Sequence, residues 1–207
     1  VSSGAIAVGR NKLNMTSKPD SMRMKQAAAA VGQCSLMYLY DKFFGDYDKT
    51  VAQILLNAED IEQEEKKENL INTFNALLEM GVIPIVNEND SVSYKEIESE
   101  DRLFGDNDML SAVVAVLCRA RHLVILSDID GFYDHDPRLY PNAKLIEQID
   151  TIDDSVYALA GGAGSRRGTG GMRTKLQAAA LATSQGTDTI VTNGKHPEAL
   201  YDIVKGL

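Results

Sequence analysis

The chain has 207 residues, of which 44% are hydrophobic and 25% charged, and these proportions are ordinary for a soluble globular protein. Its net charge of −9 argues against a nucleic-acid partner, which would require a basic face. No apolar run approaches the roughly 20 residues that span a bilayer, so no membrane partner is expected.

Strands and helices alternate along the chain, a pattern typical of an α/β fold with helices on both faces of a parallel sheet. Val1–Ser3 is predicted to end a strand, with Gly4 turning the chain into a helix. Helices are further predicted over 21–44, 59–80, 108–120, 172–185 and 196–205, and strands over 51–56, 82–86, 122–126 and 188–192. The stretches 91–104 and 161–171 are predicted to be a loop or small hairpin and a flexible glycine-rich segment.

The two cysteines bear on the cellular compartment. Cys34 and Cys118 lie far apart in apolar helical stretches. We therefore expect buried, reduced thiols, which are typical of a cytoplasmic protein.

Small polar clusters follow several of these predicted strands. They are Ser3-Gly4, Asn87–Asp90 and Ser127-Asp128, and a further cluster, Asp106–Asp108, begins a helix. Each cluster alone also fits an ordinary turn or helix cap. Because parallel strands end at one edge of their sheet, where ligands of α/β proteins bind, the repetition favours a binding site.

The run from Gly168 to Lys175 is a glycine-rich turn that opens a helix. The predicted helix places Arg173 and Lys175 in its first turn, where cations oppose the helix dipole unless an anion joins them. Its lysine spacing differs from that of a P-loop. The run therefore predicts a cradle for a polyphosphate, with Lys175 over a transferring phosphoryl group.

Together these segments resemble the glutamate 5-kinase branch of the amino-acid kinase family. The resemblance rests on 1–9, 86–90, 105–108, 127–133 and 168–179, in that order along the chain. It implies one domain over 1–207, a three-layer αβα sandwich with a mainly parallel sheet. Residues 1–120 would mostly bind glutamate, and 121–207 would mostly bind ATP. The implied reaction transfers the ATP γ-phosphoryl group to the side-chain carboxylate of L-glutamate, the first step towards proline.

The resemblance also implies roles for individual residues. Ser3, Asp90 and Asn107 match the glutamate contacts of the family. Lys175 matches the lysine at the transferred phosphoryl group, and Asp108 the aspartate that organises the lysines. Nucleotide contacts are implied for Ser127, Asp128, Thr169, Gly170, Gly171, Met172, Arg173, Thr174 and Lys175. Mg²⁺ is expected to bind with ATP, and the residues that would coordinate it are not assigned. A homo-oligomer is also expected, with proline as a feedback inhibitor.

The sequence differs from the family pattern in one respect, and two alternative functions are considered. The family begins with a strand carrying Lys-x-Gly that is absent before Val1, so we expect the chain to be part of a longer protein. One alternative is a relative that phosphorylates acetylglutamate, aspartate or uridylate. Asp90 favours a substrate with a free ammonium group, and the acidic surroundings disfavour a phosphate acceptor. The other alternative is a non-catalytic nucleotide or amino-acid sensor.

Overall fold

The computed structural model describes residues 1–92, 107–160 and 169–206, with the side chains of the last segment described from Gly171 onward. The predicted loop over 91–104 and the glycine-rich segment therefore lie almost wholly outside the described residues. The chain divides into two compact units, Val1–Leu110 and Ser111–Leu207.

Eight helices and six strands are assigned within the described residues. The helices are α1 Ala5–Lys12, α2 Met22–Gly45, α3 Ala58–Glu62, α4 Glu64–Glu79, α5 Asn107–Leu117, α6 Asp154–Ala160, α7 Thr169–Ser184 and α8 Ala199–Lys205. The strands are β1 Val51–Leu56, β2 Ile83–Glu88, β3 His122–Ser127, β4 Phe132–Tyr133, β5 Leu145–Ile146 and β6 Asp188–Asn193. None of these helices is both long and apolar enough to cross a bilayer.

In the first unit, β1 and β2 pair in parallel, with Val51 opposite Ile83. Alternate residues of β2 face β1, because the Ile83 N–H donates to Thr50 O (2.9 Å) and the Asn89 N–H to Leu56 O (2.9 Å). Pro84 therefore faces away from β1, where its missing N–H breaks no bond to that strand. On that far side the Ser2 N–H donates to Val86 O at 2.8 Å. Ser2 thus lies beside β2, although no strand is assigned to Val1–Ser3.

Helices α1 and α2 meet backbone to backbone at two glycines. A Cβ added to Gly9 would lie 1.7 Å from Ala28 O, and one added to Gly32 would lie 1.7 Å from Ala5 O. The buried face of α2 accordingly consists of Ala28, Ala29, Gly32 and Gln33. This contact fixes α1 directly after the Gly4 turn, where the positive φ of 85° suits glycine.

In the second unit, β3 and β6 pair in parallel, with His122 opposite Asp188. Helix α7 packs on both strands and shares a buried core with them and with α5. The buried members of that core are Ala112, Ala115, Leu123, Ile125, Ala178 and Ala182. Because α7 leads into β6, its first turns lie at the edge where β3 and β6 end. The short strands β4 and β5 form an antiparallel pair.

Two expectations about helices are wrong. The helix predicted over 59–80 is divided at Gln63, whose backbone is extended (φ −86°, ψ 112°). Asp60 accepts the Asn57 N–H at 2.8 Å and so defines a separate start for α3. Helix α7 begins at Thr169 rather than 172, so Arg173 and Lys175 lie in its second turn.

The expected burial of the two cysteines is wrong for Cys34 and holds only in part for Cys118. Cys34 is exposed and Cys118 half-buried, although both are free thiols as expected. Cys34 points outward because the small residues of α2 occupy the contact with α1. The larger Leu39 and Phe43 are 41% and 58% exposed for the same reason.

Candidate active site

A cavity of about 430 Å³ in the first unit collects several of the predicted residues. It is called here the Asp90 cavity. Asp90 and Asn107 both line it, and Gly4 brings the neighbouring Ser3 to its border. Ser3 itself is exposed and is not among the described lining residues of the cavity. The full described lining is Gly4, Ala5, Ile6, Ala7, Arg10, Lys18, Pro19, Lys25, Asn87, Glu88, Asp90 and Asn107.

The lining combines both signs of charge. Arg10, Lys18 and Lys25 contribute three cations, and Glu88 and Asp90 contribute two carboxylates. A small amino acid with two carboxylates and one ammonium group could pair each of its charges with a lining residue of opposite sign, with one cation and one carboxylate to spare. The three cations were not among the site residues predicted from the sequence. Two features of the sequence could have indicated these cations. Arg10 lies on the helix that follows the Gly4 turn, and Lys25 lies in the first turn of α2, a turn that contains no acidic residue.

Asp90 stands out electrostatically. It is half-buried at the end of β2, and burial raises the pKa of its carboxyl above the ordinary value of 3.8. Desolvation disfavours the charged form, so a cation bound nearby would recover the lost stabilisation. Such a group is suited to binding an ammonium ion.

The start of α5 supplies the next pair of predicted residues. Asn107 is the first residue of the helix and Asp108 lies in its first turn, where a carboxylate interacts favourably with the dipole. Both side chains are half-buried. The structure thus places Asn107 in the Asp90 cavity and gives Asp108 a helix-start position.

In the second unit, the predicted nucleotide contacts lie where β3 ends. Ser127 is the last residue of β3, and its hydroxyl lies 3.4 Å from Asp128 Oδ1. Arg138 Nη2 donates to Asp128 Oδ2 at 2.5 Å. Arg138 was not among the site residues predicted from the sequence. Both side chains of this pair are more than half exposed, so it contributes little to stability.

A second contact ties together the ends of the two parallel strands. Asn193, the last residue of β6, donates from Nδ2 to Asp130 Oδ1 at 2.8 Å, and Tyr133 Oη donates to Asp130 Oδ2 at 3.2 Å. The bond from Asn193, followed by that from Tyr133, lowers the pKa of Asp130. This edge of the second unit is therefore rich in oriented polar groups.

The expectation that Arg173 and Lys175 oppose the dipole of α7 from its first turn is wrong. Because Arg173 and Lys175 lie in the second turn, they do not oppose the dipole as strongly as first-turn cations would. Arg173 lies over the Tyr157 ring, with Cζ 5.7 Å from its centroid. Lys175 is half-buried and shares a helix face with the buried Ala178 and Ala182, three and seven residues later. Lys175 thus lies on the helix face that packs against the sheet, on the side of Ala178 nearer to the edge where β3 and β6 end.

The described residues contain no group of three or more His, Cys, Asp and Glu side chains arranged to hold a metal ion. Mg²⁺ is usually bound through one or two carboxylates together with substrate phosphates and water. Such binding requires no cluster of three protein ligands.

Comparisons with known proteins decide the family. Residues 1–193 match the model of the amino acid kinase family. A glutamate 5-kinase of Clostridium perfringens is 56% identical over 206 residues, which cover 100% of this chain and 76% of that protein. The chain belongs to the glutamate 5-kinase branch of the amino acid kinase family. A Listeria innocua glutamate 5-kinase is 48% identical over 206 residues, covering 100% of this chain and 74% of that protein.

Solved structures support the fold. An isopentenyl phosphate kinase of T. acidophilum superposes with a TM-score of 0.60 at 18% identity, covering 96% of this chain and 74% of that one. E. coli aspartokinase III superposes with a TM-score of 0.59 at 19% identity, covering 94% of this chain and 42% of that one. The α/β fold with a mainly parallel sheet, expected from the resemblance to amino acid kinases, is confirmed.

Proposed function

We propose that this glutamate 5-kinase family member transfers the γ-phosphoryl group of ATP to the side-chain carboxylate of L-glutamate. The observation that carries the proposal is the Asp90 cavity, whose lining offers a residue of opposite sign to each charge of glutamate. In this proposal the ammonium group faces Asp90 and Asn107 contacts the substrate, with Ser3 at the border. The 56% identity to a glutamate 5-kinase supports the choice of substrate.

The reaction forms one bond and breaks another. A side-chain carboxylate oxygen bonds to the γ-phosphorus, and the bond from that phosphorus to the β–γ bridging oxygen breaks, releasing ADP. Glutamate is already ionised near neutral pH, so no general base is required. The protein's task is to position two anions and compensate their repulsion.

The second unit is proposed to hold ATP. Ser127 and Asp128 at the end of β3 would contact the nucleotide, and the start of α7, from Thr169 to Lys175, would contact the phosphates. Lys175 would stabilise charge on the transferred group, with Asp108 organising the lysines. Mg²⁺ bound with ATP would neutralise phosphate charge. Support for these roles comes from the polar strand ends and from the sheet-facing position of Lys175.

The intact natural protein is expected to form a hydroxamate when incubated with ATP, Mg²⁺, hydroxylamine and L-glutamate, because hydroxylamine traps an acyl phosphate. Aspartate and N-acetylglutamate are the matched acceptors. The first shortens the chain by one methylene, and the second removes the ammonium group that Asp90 is proposed to bind. Turnover with either of them but not with glutamate would refute the assigned substrate. ATP binding without turnover of any acceptor would favour the sensor.

Inhibition by proline, a homo-oligomeric state and a cytoplasmic location remain proposals. Adding proline to the hydroxamate assay tests the first, since inhibition relieved by excess glutamate is expected. Sedimentation equilibrium of the intact protein tests the second.

Substituting Asp90 by asparagine is expected to raise the KM for glutamate and to leave the KM for ATP unchanged. Because burial raises the pKa of Asp90, the wild-type KM for glutamate should increase as acidification protonates this carboxyl. The asparagine variant lacks this titration, so the difference between the two pH profiles isolates Asp90 from the titration of glutamate itself. Parallel profiles would contradict the assignment.

The same substitution should not lower stability, since it removes a partly buried charge that folding must desolvate. Thermal unfolding of both proteins without glutamate checks this expectation. A marked loss of stability would indicate that Asp90 has a structural role instead.

A further inference from the structure

Gln33 of α2 lies outside the described lining of the Asp90 cavity but is bonded to it through Asn87. Asn87 Nδ2 donates to Gln33 Oε1 at 2.9 Å, across 54 positions of sequence. Both side chains are buried, with exposures of 8% for Gln33 and 3% for Asn87. The bond therefore joins α2 to the end of β2 between the Asp90 cavity, which Asn87 lines, and a second cavity of about 460 Å³, which Gln33 lines.

A second hydrogen bond of Asn87 determines which of its amide atoms faces Gln33. The Glu88 N–H donates to Asn87 Oδ1 at 2.9 Å. The oxygen of the Asn87 amide must therefore face Glu88, which leaves its nitrogen facing α2. Gln33 must in turn present its oxygen, so both amides are fixed in one orientation.

The bond to Asn87 leaves the other polar atom of the Gln33 amide unpaired among the described residues. Within the described parts of the chain, its buried Nε2 has no hydrogen-bond partner. A buried unsatisfied donor destabilises a fold, and α2 otherwise buries only small residues at this contact. Stability alone therefore does not explain a glutamine here.

We propose that Gln33 is a positioning residue for the amino-acid substrate. It holds the Asn87 amide, which in turn holds the Glu88 backbone, and so sets the orientation of the segment from Asn87 to Asp90 at the cavity wall. The inference rests on the proposed function, because it assumes that glutamate occupies the Asp90 cavity. It predicts a selective effect on glutamate, since the bonded groups belong to that cavity.

Gln33→Met tests the proposal in the intact protein, because methionine has a similar length and no strong acceptor. The KM for glutamate is expected to rise about tenfold, the effect of losing one buried hydrogen bond. The kcat and the KM for ATP should stay within about twofold. Tyr38→Phe, at a position of α2 that is 65% exposed and lines no described cavity, is the control and should change none of these values.

Gln33→Glu provides an independent test, because in either protonation state a carboxyl oxygen can accept from Asn87. Its KM for glutamate should remain within about threefold of wild type, and a rise as large as that expected for methionine would overturn the proposal. An unchanged KM in Gln33→Met, or equal rises in both KM values, would also overturn it. If one of these results is obtained while the wild-type protein turns over glutamate, only the role of Gln33 is refuted. If the wild-type protein does not turn over glutamate, the proposed function is refuted as well.

Discussion

Lys175→Met is expected to lower kcat by roughly 10²- to 10³-fold, the usual cost of removing one group that stabilises transition-state charge. Methionine keeps much of the length and packing of the side chain but lacks its charge. The KM for ATP should change much less, because the proposed role of Lys175 concerns the group being transferred rather than the nucleotide as a whole. Steady-state hydroxamate formation with ATP and glutamate varied separately measures both quantities.

Arg173→Met is the matched control for this prediction. Arg173 lies in the same helical turn, but it is exposed and its guanidinium lies over Tyr157. Because its proposed contact is with the bound nucleotide, its loss should raise the KM for ATP and lower kcat by less than about tenfold. Comparable losses of kcat in both variants would show that α7 responds to any change of charge, and the specific role of Lys175 would fail.

Gly32→Ala is expected to reduce the free energy of unfolding by roughly 1–3 kcal/mol, the range for overpacking a well-packed core. The added Cβ would meet Ala5 O at 1.7 Å, a backbone atom that cannot rotate away. Helices α1 and α2 must separate to admit it. Since α1 contributes Ala5, Ala7 and Arg10 to the Asp90 cavity, the KM for glutamate should rise as well. Chemical denaturation and steady-state kinetics provide the two measurements.

Gly45→Ala is the control within the same helix, because a Cβ there meets nothing within 4 Å. Its free energy of unfolding should change by no more than about 1 kcal/mol, since alanine is the better helix former. The Gly9→Ala substitution enters the same contact from the other side. The double variant should therefore lose less stability than the sum of the two single losses. Strict additivity, or a Gly32 variant as stable as the Gly45 variant, would contradict the close contact.

The elements with strong periodic patterns were predicted well from the sequence. The strand over 51–56 has the predicted bounds, and the helix predicted over 21–44 is observed as Met22–Gly45. The division at Gln63 was missed because neither glycine nor proline marks it. The start of α7 was placed too late because Gly170 and Gly171 suggest a turn, whereas the structure includes them in the helix.

Side-chain burial on α2 was harder to predict than its extent. Its larger apolar residues include Leu39 and Phe43, which are exposed, whereas the face that packs on α1 is made of alanines and Gly32. Close backbone approach requires small residues, which carry little hydrophobic signal in a sequence. The outward position of Cys34 follows from the same arrangement.

The lining of the Asp90 cavity was predicted in part, and the roles assigned to its residues stay predictions. Asp90 and Asn107 line one cavity, as expected for residues that share a ligand. The cations Arg10, Lys18 and Lys25 were missed because they lie on α1, on α2 and in the loop between them rather than after strands. Gln33 could not be identified from sequence alone, because its proposed role rests on one long-range bond to Asn87.

Transfer of isotopically labelled oxygen tests the central claim most directly. The intact protein is incubated with ATP, Mg²⁺ and glutamate carrying ¹⁸O in both oxygens of its side-chain carboxylate, without hydroxylamine. If that carboxylate attacks the γ-phosphorus, the product cyclises through its own amine and releases phosphate that retains one ¹⁸O. Phosphorus NMR or mass spectrometry of the phosphate is predicted to show this single label. Glutamate-dependent ADP formation with unlabelled phosphate would mean that water is the acceptor, and would contradict the proposed reaction.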